Sequence, residues 1–97
     1  MRIAIFLDNI HFKTLEDEVK QIFLFDVEEN VVKSVGEELL YIYNINYLLL
    51  WLLGKKVSIM YIEIIEVRLK DFIEKAGITV KALDEIKNNP LLASFLL

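Results

Sequence analysis

The residues best suited to bind a ligand lie at the ends of two apolar segments, residues 2–7 and 57–62. They are polar or aromatic, and they are Asp8, Asn9, His11, Tyr61 and Glu63. Ligands in open α/β sheets bind beyond the carboxyl ends of strands. If the two segments are neighbouring parallel strands, these five side chains form the default binding site.

Metal chemistry rests mainly on His11, which is the only histidine in a chain without cysteine. A closed zinc site needs about four ligands, so His11 predicts only a weak metal site, assisted by Asp8 or Glu63. A surface or capping histidine is the alternative. The carboxylates of Asp8, Glu38 and Glu63 could form a two-metal hydrolase site, but acidic residues at helix starts, which favour the helix dipole, are the preferred explanation.

Several classes of protein are disfavoured by composition. The net charge of −4 and the pI of about 4.9 argue against a nucleic-acid binder, which needs a basic surface. The absence of cysteine excludes disulfides and thiolate catalysis and suits a cytoplasmic protein. No glycine-rich phosphate loop or serine-nucleophile motif is present. The longest apolar run, residues 47–53, is far shorter than the ~20 residues of a membrane helix. We therefore expect no enzyme activity, no nucleic acid and no membrane.

Apolar periodicity divides the 97 residues into the elements of one domain. Spacings of three and four between Phe12, Leu15, Val19 and Ile22 predict a short helix, with an irregular loop as the alternative. The predicted strands are residues 2–7, 22–27, 31–35, 57–62 and 78–80. The predicted helices are residues 39–53, ended by Gly54, residues 64–76, ended by Gly77, and residues 82–87.

The connections between these elements predict the topology of the sheet. A short turn at residues 28–30 makes the second and third strands an antiparallel hairpin. Helical crossovers make the first, fourth and fifth strands parallel. We therefore predict an α/β fold with a ribonuclease-H-like mixed sheet of five strands in the order 3-2-1-4-5, with flanking helices.

The first long helix carries more apolar residues than one buried face requires. Hydrophobic residues make up 56% of the chain, which exceeds the usual share, and residues 48–53 are apolar without interruption. A helix that is apolar all round must be covered all round. The outer face is expected to pack against the tail from Leu91 to Leu97 or against a second copy. A homodimer would use Leu48, Trp51, Leu52 and this tail.

Four stretches carry a resemblance to a known family: RIAIFLDN (residues 2–9), FLFDVEENVV (23–32), LLLWLLGKKVSIMYI (48–62) and LKDFIEKAGITV (69–80). The chain resembles the dinitrogenase iron–molybdenum cofactor biosynthesis family. The resemblance implies a small non-enzymatic domain that binds or carries the iron–molybdenum cofactor or its iron–sulfur precursor. Of the histidine-phenylalanine-glycine-arginine segment typical of the family, only His11-Phe12 corresponds.

The sequence departs from the family where a glycine-rich turn should follow the fourth strand. Such a turn lets helix amides approach an anion, but here Ile62, Glu63 and Ile64 occupy the place. We expect Ile62 and Ile64 to crowd the approach, and Glu63 and Glu66 to satisfy the helix dipole and repel an anion. A degenerate cofactor site is therefore one interpretation, and a cofactor-free homodimerising interaction module is the alternative.

Overall fold

The computed structural model of the chain describes residues 1–7, 18–42 and 44–93. The strands are β1 (Arg2–Phe6), β2 (Glu18–Glu28), β3 (Val31–Ile42), β4 (Val57–Ile62) and β5 (Thr79–Ala82). The helices are α1 (Ile45–Gly54), α2 (Val67–Lys75), a 3₁₀ helix (Leu83–Asn88) and the single turn α3 (Pro90–Ala93). None of these helices has the length and hydropathy needed to span a membrane.

The five strands form one mixed sheet in the order β3-β2-β1-β4-β5. Strand β2 is antiparallel to both β1 and β3, and β1, β4 and β5 run parallel to one another. The predicted α/β fold, strand order and strand directions are therefore confirmed. The sequence connections explain this outcome, because β2 and β3 are joined by a two-residue turn whereas α1 and α2 are the crossovers to β4 and β5.

The sheet is covered on both faces. On one face, called the helix face, α1 and α2 pack Leu48, Leu52, Leu69 and Ile73 against the sheet. On the other, called the tail face, the 3₁₀ helix and α3 contribute Ile86 and Leu92. Strand β1 alternates between the two, with Ala4 and Phe6 on the helix face and Ile3 and Ile5 on the tail face. Burial on both faces explains the continuous apolar run of this strand.

Strand β2 begins before the segment that the sequence predicted. Val19 and Ile22 were expected on a helix face, but both belong to β2, where they pair with Tyr41 and Glu38 of β3. In a strand these two residues point to opposite faces, so Ile22 is buried whereas Val19 is 43% exposed. The predicted helix is wrong at these two positions, and its other residues, Phe12 and Leu15, lie outside the described part.

Strand β3 is also longer than predicted, and it takes residues 39–42 from the expected start of α1. Leu40 and Ile42 are buried while Leu39 and Tyr41 are exposed, which is the two-residue period of a strand. The helix instead begins after Asn44, whose side-chain oxygen accepts a hydrogen bond from the backbone N–H of Tyr47 at 2.8 Å. Asparagine favours this capping position, and it marks the true boundary.

The two predicted helix-ending glycines behave differently. Gly77 follows α2 with φ +95°, a left-handed conformation that glycine adopts at little cost. Gly54 is instead the last residue of α1, and the left-handed position two residues later is taken by Lys56, with φ +58°. The backbone N–H of Lys56 donates to the carbonyl of Leu53 at 3.0 Å, which closes the end of the helix.

Candidate ligand-binding surfaces

The carboxyl ends of β1 and β4 lie side by side, as the sequence predicted. Ile5 of β1 is in register with Tyr61 of β4, so the residues that follow both strands emerge at the same edge of the sheet. Of the predicted site, Asp8, Asn9 and His11 lie outside the described residues, and their placement at this edge stays a prediction. Tyr61 and Glu63 are described.

Tyr61 and Glu63 differ in their surroundings. Tyr61 is 1% exposed, and its ring packs with Ile3, Ile5 and Ile86 on the tail face. Glu63 follows the strand at the carboxyl edge and is exposed. Tyr61 therefore belongs to the core on the face away from α2, whereas Glu63 lies on the surface, and their grouping around one ligand stays a prediction.

A pocket of about 350 Å³, called the edge pocket, opens at the carboxyl ends of β4 and β5. It is lined by the β4–α2 connection, the first turn of α2 and the last residues of β5. Its charged residues are Glu63, Lys70 and Lys81, and all the others are aliphatic. The pocket occupies the position where parallel strands present ligand sites.

The start of α2 borders the edge pocket through Val67. Glu66 is the N-cap residue, but its side chain makes no capping hydrogen bond, and the first turn contains no acidic residue. Ile62 is 1% exposed and belongs to the helix-face core. Glu66 therefore lies beside the helix end without a capping hydrogen bond, and Ile62, although buried, is among the residues that line the pocket. Ile64, 50% exposed, is the bulky side chain that remains at this edge.

A second pocket of about 250 Å³, called the Tyr61 pocket, lies on the tail face between β4, β5 and the 3₁₀ helix. The side-chain nitrogen of Asn89 donates to the Tyr61 hydroxyl at 3.4 Å. Lys81 of β5 and Glu85 of the 3₁₀ helix are exposed residues in its lining. Sequence reasoning named Tyr61 but missed Asn89, which lies between the 3₁₀ helix and α3.

A polar pocket of about 220 Å³ lies at the opposite edge and contains Glu38 and Lys55. These two side chains form an ion pair at 2.8 Å, and Lys55 lies 5.9 Å from the centroid of the Trp51 ring. Lys55 precedes β4 whereas Glu63 follows it, and a six-residue strand is about 20 Å long. The structure therefore does not bring Glu38 and Glu63 together as a hydrolase site would require.

The described residues contain no group of three or more His, Cys, Asp or Glu side chains that could hold a metal ion. This statement covers Glu38 and Glu63 but not His11 and Asp8. Within residues 1–7, 18–42 and 44–93, the arrangement offers charge and hydrogen bonding to a ligand rather than metal coordination.

The residues of α1 that were expected to form a homodimer differ in how far they are buried. Leu48 and Leu52 are fully buried in the core of the chain itself, so they are not available to a partner. Trp51 is half-buried and meets Phe6 edge-on at 6.5 Å. The exposed apolar residues of α1 are instead Leu50 and, less strongly, Leu53 and Tyr47.

The described part of the tail does not cover α1. Leu92 of α3 is fully buried on the tail face, with Ile3 and Ile5, and α1 lies on the helix face. The expectation that the tail shields the outer side of α1 is therefore wrong up to Ala93, and residues 94–97 lie outside the described part.

Comparison with known proteins supports the fold. No protein-family model matches the chain, and no curated protein matches it significantly. The chain is similar to a solved structure described as "Crystal structure of PH0822", with a TM-score of 0.66 and 17% sequence identity over 89% of this chain and 84% of that one. Similarity at this level of identity shows a shared fold and carries no statement about activity.

Proposed function

We propose that the chain is a non-enzymatic binding domain of the carrier type, which holds an anionic cargo in the edge pocket. The cargo class is the iron–molybdenum cofactor or its iron–sulfur precursor, because the sequence resembles the family that carries these clusters. The observation that supports the proposal is the open edge pocket itself, which lies at the carboxyl ends of two parallel strands.

The charges around the edge pocket favour an anion. Lys70 and Lys81 contribute two positive charges, and Glu63 contributes one negative charge. The first turn of α2 adds backbone N–H groups that the Glu66 side chain does not cap, and the N-terminal end of a helix carries a partial positive charge. The pocket therefore supplies a net attraction for an anionic ligand.

The donor set limits how such a cargo can be held. Metal–sulfur clusters are usually ligated by cysteine thiolates, and this chain has none. The edge pocket offers the carboxylate of Glu63, and His11 is the one imidazole in the sequence. The described residues thus fit a cargo held mainly by charge and released readily, as a carrier requires, rather than a permanently bound cofactor.

The test is an anaerobic titration of the purified protein with isolated iron–molybdenum cofactor or its iron–sulfur precursor, followed by absorbance and by co-elution on a sizing column. We expect stoichiometric co-elution with the wild-type chain. Lys70→Glu should weaken binding at least tenfold, and His11→Ala should also weaken it. A folded wild-type protein that binds neither cluster would overturn the proposal.

Lys33→Glu is a matched control for Lys70→Glu. It makes the same charge change on β3, at the opposite edge of the sheet from β5, and Lys33 does not line the edge pocket. We expect Lys33→Glu to bind like the wild-type chain. Equal losses in both variants would mean that net charge, and not the edge pocket, governs the association.

The second candidate function is a cofactor-free homodimerising module, which is favoured by the exposed apolar residues. Leu50 of α1 is 67% exposed, and Leu39 of the edge strand β3 is 72% exposed. Exposed apolar surface of this kind often marks an interface, and an unpaired edge strand can pair with another chain. Sedimentation equilibrium tests this candidate: a dimer that dissociates in Leu50→Ser or Leu39→Ser supports it, and a monomeric wild-type chain excludes it.

A further inference from the structure

We infer that the Tyr61 pocket is a second binding site, for a small zwitterion of the α-amino-acid class. It lies on the tail face, and its lining includes Tyr61, a polar side chain that is 1% exposed. The edge pocket is lined instead by the β4–α2 connection and the start of α2. Lys81 contributes to the lining of both pockets, whereas Tyr61 belongs only to this one.

The hydroxyl group of Tyr61 is oriented by Asn89. The side-chain oxygen of Asn89 accepts the backbone N–H of Leu91 at 3.0 Å, so the side-chain nitrogen is left to donate to the Tyr61 oxygen at 3.4 Å. The hydroxyl oxygen is therefore an acceptor in this contact. Its own proton has no acceptor among the described residues. Buried tyrosine hydroxyls usually form a hydrogen bond with a partner. The Tyr61 hydroxyl can therefore donate its proton to an acceptor atom of a ligand.

Two opposite charges line the same pocket without neutralising each other. Lys81 and Glu85 are both in its lining, and no ion pair joins these two described residues. Glu85 is held in place because one of its carboxylate oxygens accepts the backbone N–H of Ala82 at 3.2 Å. A ligand carboxylate can meet Lys81 and the Tyr61 hydroxyl, while a ligand ammonium meets the second carboxylate oxygen of Glu85.

The size and net charge of the pocket narrow the ligand class further. A cavity of about 250 Å³ is smaller than the roughly 300–1,000 Å³ of pockets for drug-sized ligands. One lysine and one glutamate sum to zero charge, so Glu85 disfavours a phosphate or a dicarboxylate and Lys81 disfavours a polyamine. A small molecule that carries one carboxylate and one ammonium group satisfies both residues.

The direct test is a titration of the full, ¹⁵N-labelled chain with L-alanine, read by amide chemical shifts. Acetate and methylamine serve as the two half-ligands. We expect saturable shifts around residues 81–90 with L-alanine, and at least tenfold weaker binding of each half-ligand. Acetate binding as tightly as L-alanine would overturn the zwitterion assignment, and a titration without saturable shifts would overturn the site.

Three substitutions test the residues that carry the inference. Tyr61→Phe keeps the buried ring and removes only the hydroxyl, and Lys81→Gln and Glu85→Gln remove the charges from exposed positions that the core does not need. Each should weaken L-alanine binding at least tenfold, whereas Lys87→Gln, on the same 3₁₀ helix but outside the pocket, should not. Unchanged affinity in Tyr61→Phe would refute the role of the hydroxyl.

The same measurements distinguish the two pockets. Lys70→Glu alters only the edge pocket, so it should leave L-alanine binding unchanged even where it abolishes cluster binding. Tyr61→Phe should weaken L-alanine binding and leave cluster binding unchanged. Loss of L-alanine binding in Lys70→Glu would contradict an independent second site. If the cluster titration fails, the proposed function fails, and the L-alanine titration still decides whether the Tyr61 pocket is a binding site.

Discussion

Asn89 ties the C-terminal turn to the sheet through two hydrogen bonds made by one side chain. Its nitrogen donates to the hydroxyl of Tyr61 on β4 at 3.4 Å, and its oxygen accepts the backbone N–H of Leu91 at 3.0 Å. Asn89 stands between the 3₁₀ helix and α3, directly before Pro90. It therefore caps α3 and sets the direction in which Leu92 enters the core of the tail face.

Removal of this side chain should destabilise the fold measurably. Asn89→Ala loses the cap and the contact with Tyr61, and an N-cap substitution by alanine costs about 0.5–2 kcal/mol. We expect a decrease of this size in the free energy of unfolding, measured by urea denaturation with Trp51 fluorescence. Asn89→Asp keeps the cap oxygen and loses the donor to Tyr61, so it should cost less. Equal stability of Asn89→Ala and the wild-type chain would show that the two bonds do not anchor α3.

Substitutions just after α1 and α2 should change the stability of the chain in opposite directions. Lys56 adopts φ +58° and Gly77 adopts φ +95°, and a left-handed conformation costs a residue with a side chain about 1–2 kcal/mol. Lys56→Gly should therefore stabilise the chain, and Gly77→Ala should destabilise it by about 1 kcal/mol. Thermal unfolding by circular dichroism measures both.

Gly54→Ala provides the matched control for Gly77→Ala. Gly54 lies in α1 at a position without positive φ, and no heavy atom comes within 4 Å of an added Cβ. Alanine is favoured over glycine in a helix by about 1 kcal/mol, so Gly54→Ala should raise the melting temperature. A decrease in both glycine variants would contradict the assignment of the left-handed position to Lys56.

The strand order was predictable from the sequence because each connection has a distinct physical signature. A two-residue turn can join only antiparallel neighbours, and a parallel crossover needs a helix. The bounds of β4 were also predictable, because Gly54, Lys55 and Lys56 separate its apolar run from α1. By contrast, residues 39–42 continue an apolar run into the next element. Only Asn44 marks where the strand gives way to the helix.

The candidate sites were less predictable than the fold. The sequence placed Tyr61 and Glu63 at the carboxyl end of one strand, where ligands bind in open α/β sheets, and this position suggested one site. The pleat of the strand turns Tyr61 to the tail face, where its partner Asn89 comes from a segment 28 residues later. Such a pairing depends on how the C-terminal turn folds back, and no local spacing encodes it.

The β2–β3 turn offers a prediction about the hairpin. Glu29 and Asn30 both have positive φ, 52° and 63°, which is the pattern of a type I′ turn. Asparagine followed by glycine suits this turn best, whereas glutamate at the first position is strained. Replacing both, Glu29→Asn with Asn30→Gly, should raise the free energy of unfolding by about 1 kcal/mol. Glu28→Gly, at the last residue of β2, should lower it, and chemical denaturation compares the two.

Two leucines of α1 should respond in opposite ways to the same substitution. Leu48 is 0% exposed and Leu50 is 67% exposed, although they are two residues apart. Truncation of a buried leucine to alanine costs about 2–5 kcal/mol because it leaves a cavity, whereas a surface substitution usually changes stability by less than about 0.5 kcal/mol. Denaturant unfolding of Leu48→Ala and Leu50→Ala should show this difference at low protein concentration.

The concentration dependence of the same experiment reports on self-association. A folded dimer is stabilised by mass action, so its unfolding midpoint rises with protein concentration. If Leu50 lies in a dimer interface, the wild-type midpoint rises with concentration, and Leu50→Ala reduces that rise. Leu48→Ala should lower the midpoint at every concentration without changing the slope. A wild-type midpoint independent of concentration would mean that the exposed leucines of α1 do not bind a second copy.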